Sequence, residues 1–188
     1  EKNKEIFARS DHEPIHATLT MDDSSSFKVS SWNVQERVEN GVLTYISSMP
    51  FIAGKGGLSR KLTNWFLRDE VRQEHLRQVM QFVRRELIGS AGARPRADAV
   101  VLQELSPDVI GALSSEFGDE LYLHASELPP EPDTPQHCWA MTIVVSRHEL
   151  TPQPDVMTTT QQATKLITRR FATVIVPSFN LLLSSVHV

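Results

Sequence analysis

With 188 residues, 40% of them hydrophobic, the chain is long enough for one domain and apolar enough to bury a real core. A net charge of -4 excludes the global basic excess of a general nucleic-acid binder, so any polyanion has to be met locally. A lone cysteine, Cys138, excludes an internal disulfide framework and favours an intracellular compartment, and no apolar run approaches the roughly 20 residues that span a bilayer.

Residues 1–26 are polar and end in Asp22-Asp23-Ser24-Ser25-Ser26. This composition buries too little to order itself unless it docks on something, so it is expected as an N-terminal extension to a domain spanning 27–188. The start carries no signal-peptide core and no Met, which suggests a processed or trimmed chain and leaves import into an organelle open. His12-Glu13-Pro14-Ile15-His16 spells a zinc-protease string, but that motif needs a helix to bring both imidazoles to one face, and Pro14 opposes one.

From Phe27 the pattern Phe-Lys-Val-Ser-Ser-Trp-Asn-Val alternates as a half-buried strand does. Gly41, Pro50, Gly54, Gly56 and Gly57 then predict a long loop over 36–60, a candidate substrate flap or partner contact. Its Gly54-Lys55-Gly56-Gly57 lacks the spacing of a phosphate loop. Leu76, Val79, Val83 and Leu87 fall at helical steps, with Trp65, Phe66 and Val71 extending the apolar side upstream and Gly89 as the stop. Residues 51–100 carry ten Lys/Arg against five Asp/Glu, and residues 101–150 one against nine. Arg68, Arg72, Arg77, Arg84 and Arg85 therefore either solvate this helix or track a phosphate backbone.

Asp98-Ala-Val-Val-Leu-Gln-Glu104 is a short apolar run that suits a buried strand. A second helix is expected behind it, with Ser106 as cap, Pro107 in the first turn and Asp108 complementing the positive end. Strands are predicted near Leu121–His124 and Met141–Ser146 around the proline-rich loop 129–135. Cys138 beside His137 alone makes no zinc site, and Trp139 reads as core. Phe171–Val176 and Leu181–Val188 suit an antiparallel pair joined through Pro177-Ser-Phe-Asn180. A terminal strand leaves an unpaired edge, so the sheet is expected to continue beyond Val188.

Three apolar strands thus close on polar groups: Trp32-Asn33-Val34, Leu102-Gln103-Glu104 and Ser185-Val186-His187. Strand ends are where α/β sheets gather ligand sites. On these strings the sequence resembles the endonuclease/exonuclease/phosphatase superfamily, which includes DNase I-like nucleases, deadenylases, inositol phosphatases and neutral sphingomyelinases. Asn33 matches the family's strand-end Asn, Glu104 its metal-binding Glu in a Leu-Gln-Glu string, and His187 the His of its Thr-His-Leu-like string, with Ser185 one position away from the family's Thr. Ala140–Ser146 is similar to the strand that follows in the family.

The resemblance runs from Phe27 to Val188 and implies the first half to two-thirds of a four-layer α/β/β/α sandwich with mixed, largely antiparallel sheets. It implies Mg²⁺, with Mn²⁺ as a substitute, held by Glu104, while Asn33 and His187 act on the transferring phosphate. The family's Gly-Asp-x-Asn string and terminal Asp-His pair, which would supply the base, are expected after the last strand. The implied function is a phosphodiesterase or nuclease acting on a phosphate ester, with RNA or DNA foremost. The alternative is a catalytically inactive member of the fold, a structural or RNA-contacting subunit completed by protein partners or by the rest of the domain.

Overall fold

The computed structural model describes residues 13–34, 69–89, 92–105, 107–126, 141–153 and 171–186. Strands β1 (Ile15–Thr20), β2 (Ser26–Asn33), β3 (Ala99–Leu105), β4 (Tyr122–Ala125) and β5 (Met141–Ser146) form one sheet in the order β1-β2-β3-β5-β4. Within it β2 and β3 run parallel and every other neighbouring pair antiparallel. A parallel pair needs a crossover, and helix α1 (Asp69–Val83) lies in the chain between these two strands. The short β6 (Thr151–Pro152), β7 (Phe171–Val176) and β8 (Leu181–Val186) form a second, antiparallel sheet.

The two faces of β3 explain the layering. Val100 and Leu102 join a core with Val79, Phe82, Val83 and Leu87 from the α1 side, and with Val109, Leu113 and Phe117 of helix α2 (Pro107–Phe117). On the other face Val101 packs with Val144, Ala172 and Val174, while Ala99 packs with Phe27 and Val176. Side chains alternate across a strand, so one apolar run buries both faces, which is why Ala-Val-Val-Leu shows no polar alternation. Each leucine so buried contributes on the order of 1.5–3 kcal/mol. The described residues therefore make a mixed α/β arrangement: helices, a five-stranded mixed sheet and a three-stranded sheet.

Helix α1 runs on into a π-helical turn, Arg84–Ile88, and ends at Gly89. Gly89 has φ +92°, and a Cβ there would run into the carbonyl oxygen of Ala93, so the stop requires glycine. The β7–β8 connection passes through a 3₁₀ turn, Pro177–Phe179, to Asn180 at φ 46°, ψ 40°, a left-handed conformation that Asn tolerates.

Part of the expected N-terminal extension does dock. Residues 15–20 form the edge strand β1 against β2, with Ile15 opposite Ser31 and Thr20 opposite Ser26. A polar chain that runs from the surface to a buried carboxylate ties it down. The His16 Nδ1 lies 2.8 Å from Ser30 Oγ, which donates to Glu86 Oε2 at 3.0 Å, and Arg85 Nε donates to Glu86 Oε1 at 3.0 Å. Glu86 is fully buried, and its main-chain carbonyl also accepts from the amides of Arg96 and Ala97. Because His16 sits on a strand, the zinc-protease geometry is ruled out for that string.

Asp98 clamps one end of the large sheet. Its Oδ2 accepts from the Lys28 amide at 2.8 Å, its own amide donates to the Lys28 carbonyl at 2.8 Å, and its carbonyl accepts from the Arg147 amide at 3.1 Å and Ser146 Oγ at 3.2 Å. The start of β2, the start of β3 and the end of β5 are thereby fixed together, and the opposite end carries the polar strand tips. The expected loops 36–60 and 129–135, the upstream apolar residues Trp65 and Phe66, and the cap Ser106 lie outside the described residues. Among the described residues no helix is long and apolar enough to cross a membrane.

Candidate active site

Parallel pairing of β2 and β3 places Asn33 opposite Gln103, and the Val34 amide donates to the Gln103 carbonyl at 3.0 Å. Asn33 follows Phe27 and Val29 in the alternation of β2, on the face turned to the second sheet, whereas Trp32 and Val34 pack on the helix side. Trp32 there meets Phe82 with ring centroids 5.0 Å apart.

Glu104 departs from regular strand geometry. Leu102 pairs with Ile143 and Leu105 with Met141, so three steps on β3 match two on β5, a bulge with one extra residue. Both leucines join the helix-side core, three positions apart instead of an even number. The extra residue is absorbed at Glu104, whose φ is +59°, a conformation that costs a side-chain-bearing residue on the order of 1–3 kcal/mol. Without the bulge, alternation would turn Glu104 to the helices. With it, Leu105 takes that place and Glu104 joins Gln103, both half-buried, at the strand tip.

The end of β8 reaches the same point. Ser185 is buried, and its hydroxyl accepts a 3.1 Å hydrogen bond from Gln103 Nε2. The tips carrying Asn33, Glu104 and Ser185 therefore converge. His187, two residues past Ser185, lies outside the described residues. The Gln103–Ser185 bond and the bulge were not anticipated from the sequence, although the three-residue spacing of Leu102 and Leu105 breaks the two-residue period and signals the second.

The arginine-rich helix supplies less than its composition offers. Arg77 pairs with Glu74 at 2.5 Å, Arg84 with Glu116, and Arg85 with the buried Glu86. Arg84 and Arg85 also lie over the rings of Phe117 and Phe82. Three of the five arginines singled out thus have carboxylate partners on the helix side of the sheet, away from the face shared by Asn33 and Gln103.

Among the described residues no group of three or more His, Cys, Asp or Glu could hold a metal, so a closed zinc-type centre is not found there. Mg²⁺ asks for less: one or two carboxylates, several waters and substrate oxygens. Glu104, the neighbour of Gln103 that stands opposite Asn33, supplies one carboxylate of that kind.

Fold and rim together define a mixed α/β protein whose parallel strand pair ends in an amide and a carboxylate. Comparison with protein-family models, with curated proteins and with solved structures returns no match to the chain.

Proposed function

We propose that the chain contributes the strand-end rim of a Mg²⁺-dependent phosphodiesterase of the DNase I-like kind, acting on a phosphate ester with nucleic acid as the first substrate class. The observation that carries this reading is the juxtaposition at the ends of β2 and β3. Asn33 and Gln103 stand opposite in register, and a bulge holds Glu104 beside them in a backbone conformation that a carboxylate-bearing residue would not adopt without cause. The packing of the five-stranded sheet against the second sheet through Val101, Val144, Ala172 and Val174 supports this reading.

Glu104 would hold the ion, which would supply Lewis-acid withdrawal of charge from the phosphoryl group and the leaving oxygen. Asn33 donates its amide N–H to a phosphate oxygen, and the rigid strands fix that donor without reorganisation during reaction. Gln103, donating to the Ser185 hydroxyl, ties the end of β8 to the tip of β3. The resemblance gives His187 the role of acting on charge developing at phosphorus.

The test is incubation of the purified protein with Mg²⁺ and single-stranded RNA, abasic-site DNA or inositol phosphates. Metal-dependent hydrolysis of one of these, lost in Glu104→Gln, is the expected result. An unchanged rate in Glu104→Gln overturns the assignment. Binding of RNA without hydrolysis by any preparation would instead favour the inactive, RNA-contacting subunit.

A further inference from the structure

We infer that Ser185 is a positioning residue for the Glu104 carboxylate, acting across the two sheets through the side chain of Gln103. This rests on the phosphodiesterase reading above. Of the three non-glycine residues with positive φ among those described, Ser24 and Asn180 lie in connections between strands, where the chain turns, and Glu104 lies inside a strand. Such a conformation persists only where its surroundings over-determine it. The two neighbours of Glu104 do this. On one side Leu105 is fully buried in the helix-side core and pairs with Met141. On the other, the main-chain carbonyl of Gln103 accepts from the Val34 amide at 3.0 Å, and its side chain donates through Nε2 to Ser185 Oγ at 3.1 Å. The strained residue is thus bracketed by β5, by β2 and, from the second sheet, by Ser185.

Ser185 is itself firmly placed. It is buried and stands opposite Ala172, which packs with Val101 of β3 and Val144 of β5 in the core between the sheets. A hydrogen bond to so fixed a hydroxyl restricts the Gln103 side chain, and with it the peptide that joins Gln103 to Glu104. Loss of the bond lets that peptide rock, and relief of the positive φ draws it towards ordinary strand geometry, in which Glu104 faces the helices. A carboxylate that has to be brought back into place before it meets the ion binds it more weakly. Partners that orient a metal ligand contribute about 10–100-fold to affinity. In this role the Ser185 hydroxyl meets neither the ion nor the phosphate, and it acts through Gln103.

The experiment compares Ser185→Ala, Gln103→Leu and the double variant with the wild type, each as the full chain. Two quantities are read: Mn²⁺ affinity by calorimetry, and the backbone chemical shifts of Glu104 before Mn²⁺ is added, which report its φ. A loss of affinity of roughly 10–100-fold in each single variant, no further loss in the double variant, and Glu104 shifts moved towards extended-strand values are the expected result. A merely structural tie between the sheets would lower the urea midpoint of the variants and leave both the Mn²⁺ affinity and the Glu104 shifts where they were. That outcome overturns this inference while the phosphodiesterase reading stands. Additive losses in the double variant also contradict it, because the two residues would then act separately. Wild-type protein that binds Mn²⁺ no better than Glu104→Gln removes both the inference and the reading beneath it.

Discussion

Glu104 occupies a backbone conformation that glycine adopts without penalty, and it brings a carboxylate to the rim at the cost of that strain. Replacing it separates the two effects. Glu104→Gly and Glu104→Ala both lose the carboxylate and are expected to lose Mn²⁺ binding, but Glu104→Gly relieves the strained φ and should be more stable than Glu104→Ala by about 1 kcal/mol in urea unfolding. Equal stability of the two variants would mean that Glu104 carries no strain in solution. Asp23 offers a second residue-level check. The Ser25 hydroxyl at 2.5 Å and the Ser25 amide at 2.9 Å hold its carboxyl below the usual range. A depressed value means that the turn before β2 is intact above the ordinary carboxylate range and loosens only as pH falls through the lowered value. The Ser25 amide resonance should titrate at a pH below that of an unperturbed Asp, and titration at the ordinary value would contradict the bond.

Strand β1 is the element whose placement depends most on one buried group. Ser30→Ala removes a donor from a fully buried carboxylate and should cost about 1–3 kcal/mol, with the loss of amide exchange protection concentrated in β1. Uniform loss across the sheet would show that the chain does not dock β1 specifically. The other elements were largely legible in the sequence. The alternation from Phe27, the apolar run before Glu104 and the helical steps from Leu76 to Leu87 each follow from burial of a defined face. β1 escaped because all of its residues are exposed and its neighbours are polar, so its order derives from a partner and from Glu86, 56 residues beyond Ser30. The π-helical turn and the two-residue β6 were equally invisible, since no local pattern distinguishes them.

At the scale of the molecule, the sheet is clamped by Asp98 at one end and carries the polar strand tips at the other. Asp98 ties the starts of β2 and β3 together at one end, while the parallel register itself brings the tips carrying Asn33 and Glu104 side by side at the other. Asp98→Ala is expected to lower stability by about 1.5–3 kcal/mol while leaving Mn²⁺ affinity unchanged, as measured by urea unfolding and calorimetry. The convergence of the three strand tips could be anticipated from the sequence only in outline. The motif strings identify Asn33 and Glu104, but the Gln103–Ser185 bond links residues 82 apart and arises only when the two sheets pack. The most direct test of the central claim is a double-mutant cycle on Mg²⁺-dependent binding of a nucleoside monophosphate, using Asn33→Ala, Glu104→Gln and the pair. If both groups act on one bound phosphate, the effects are non-additive by about 0.5–3 kcal/mol, whereas additivity to within about 0.5 kcal/mol would contradict a shared site.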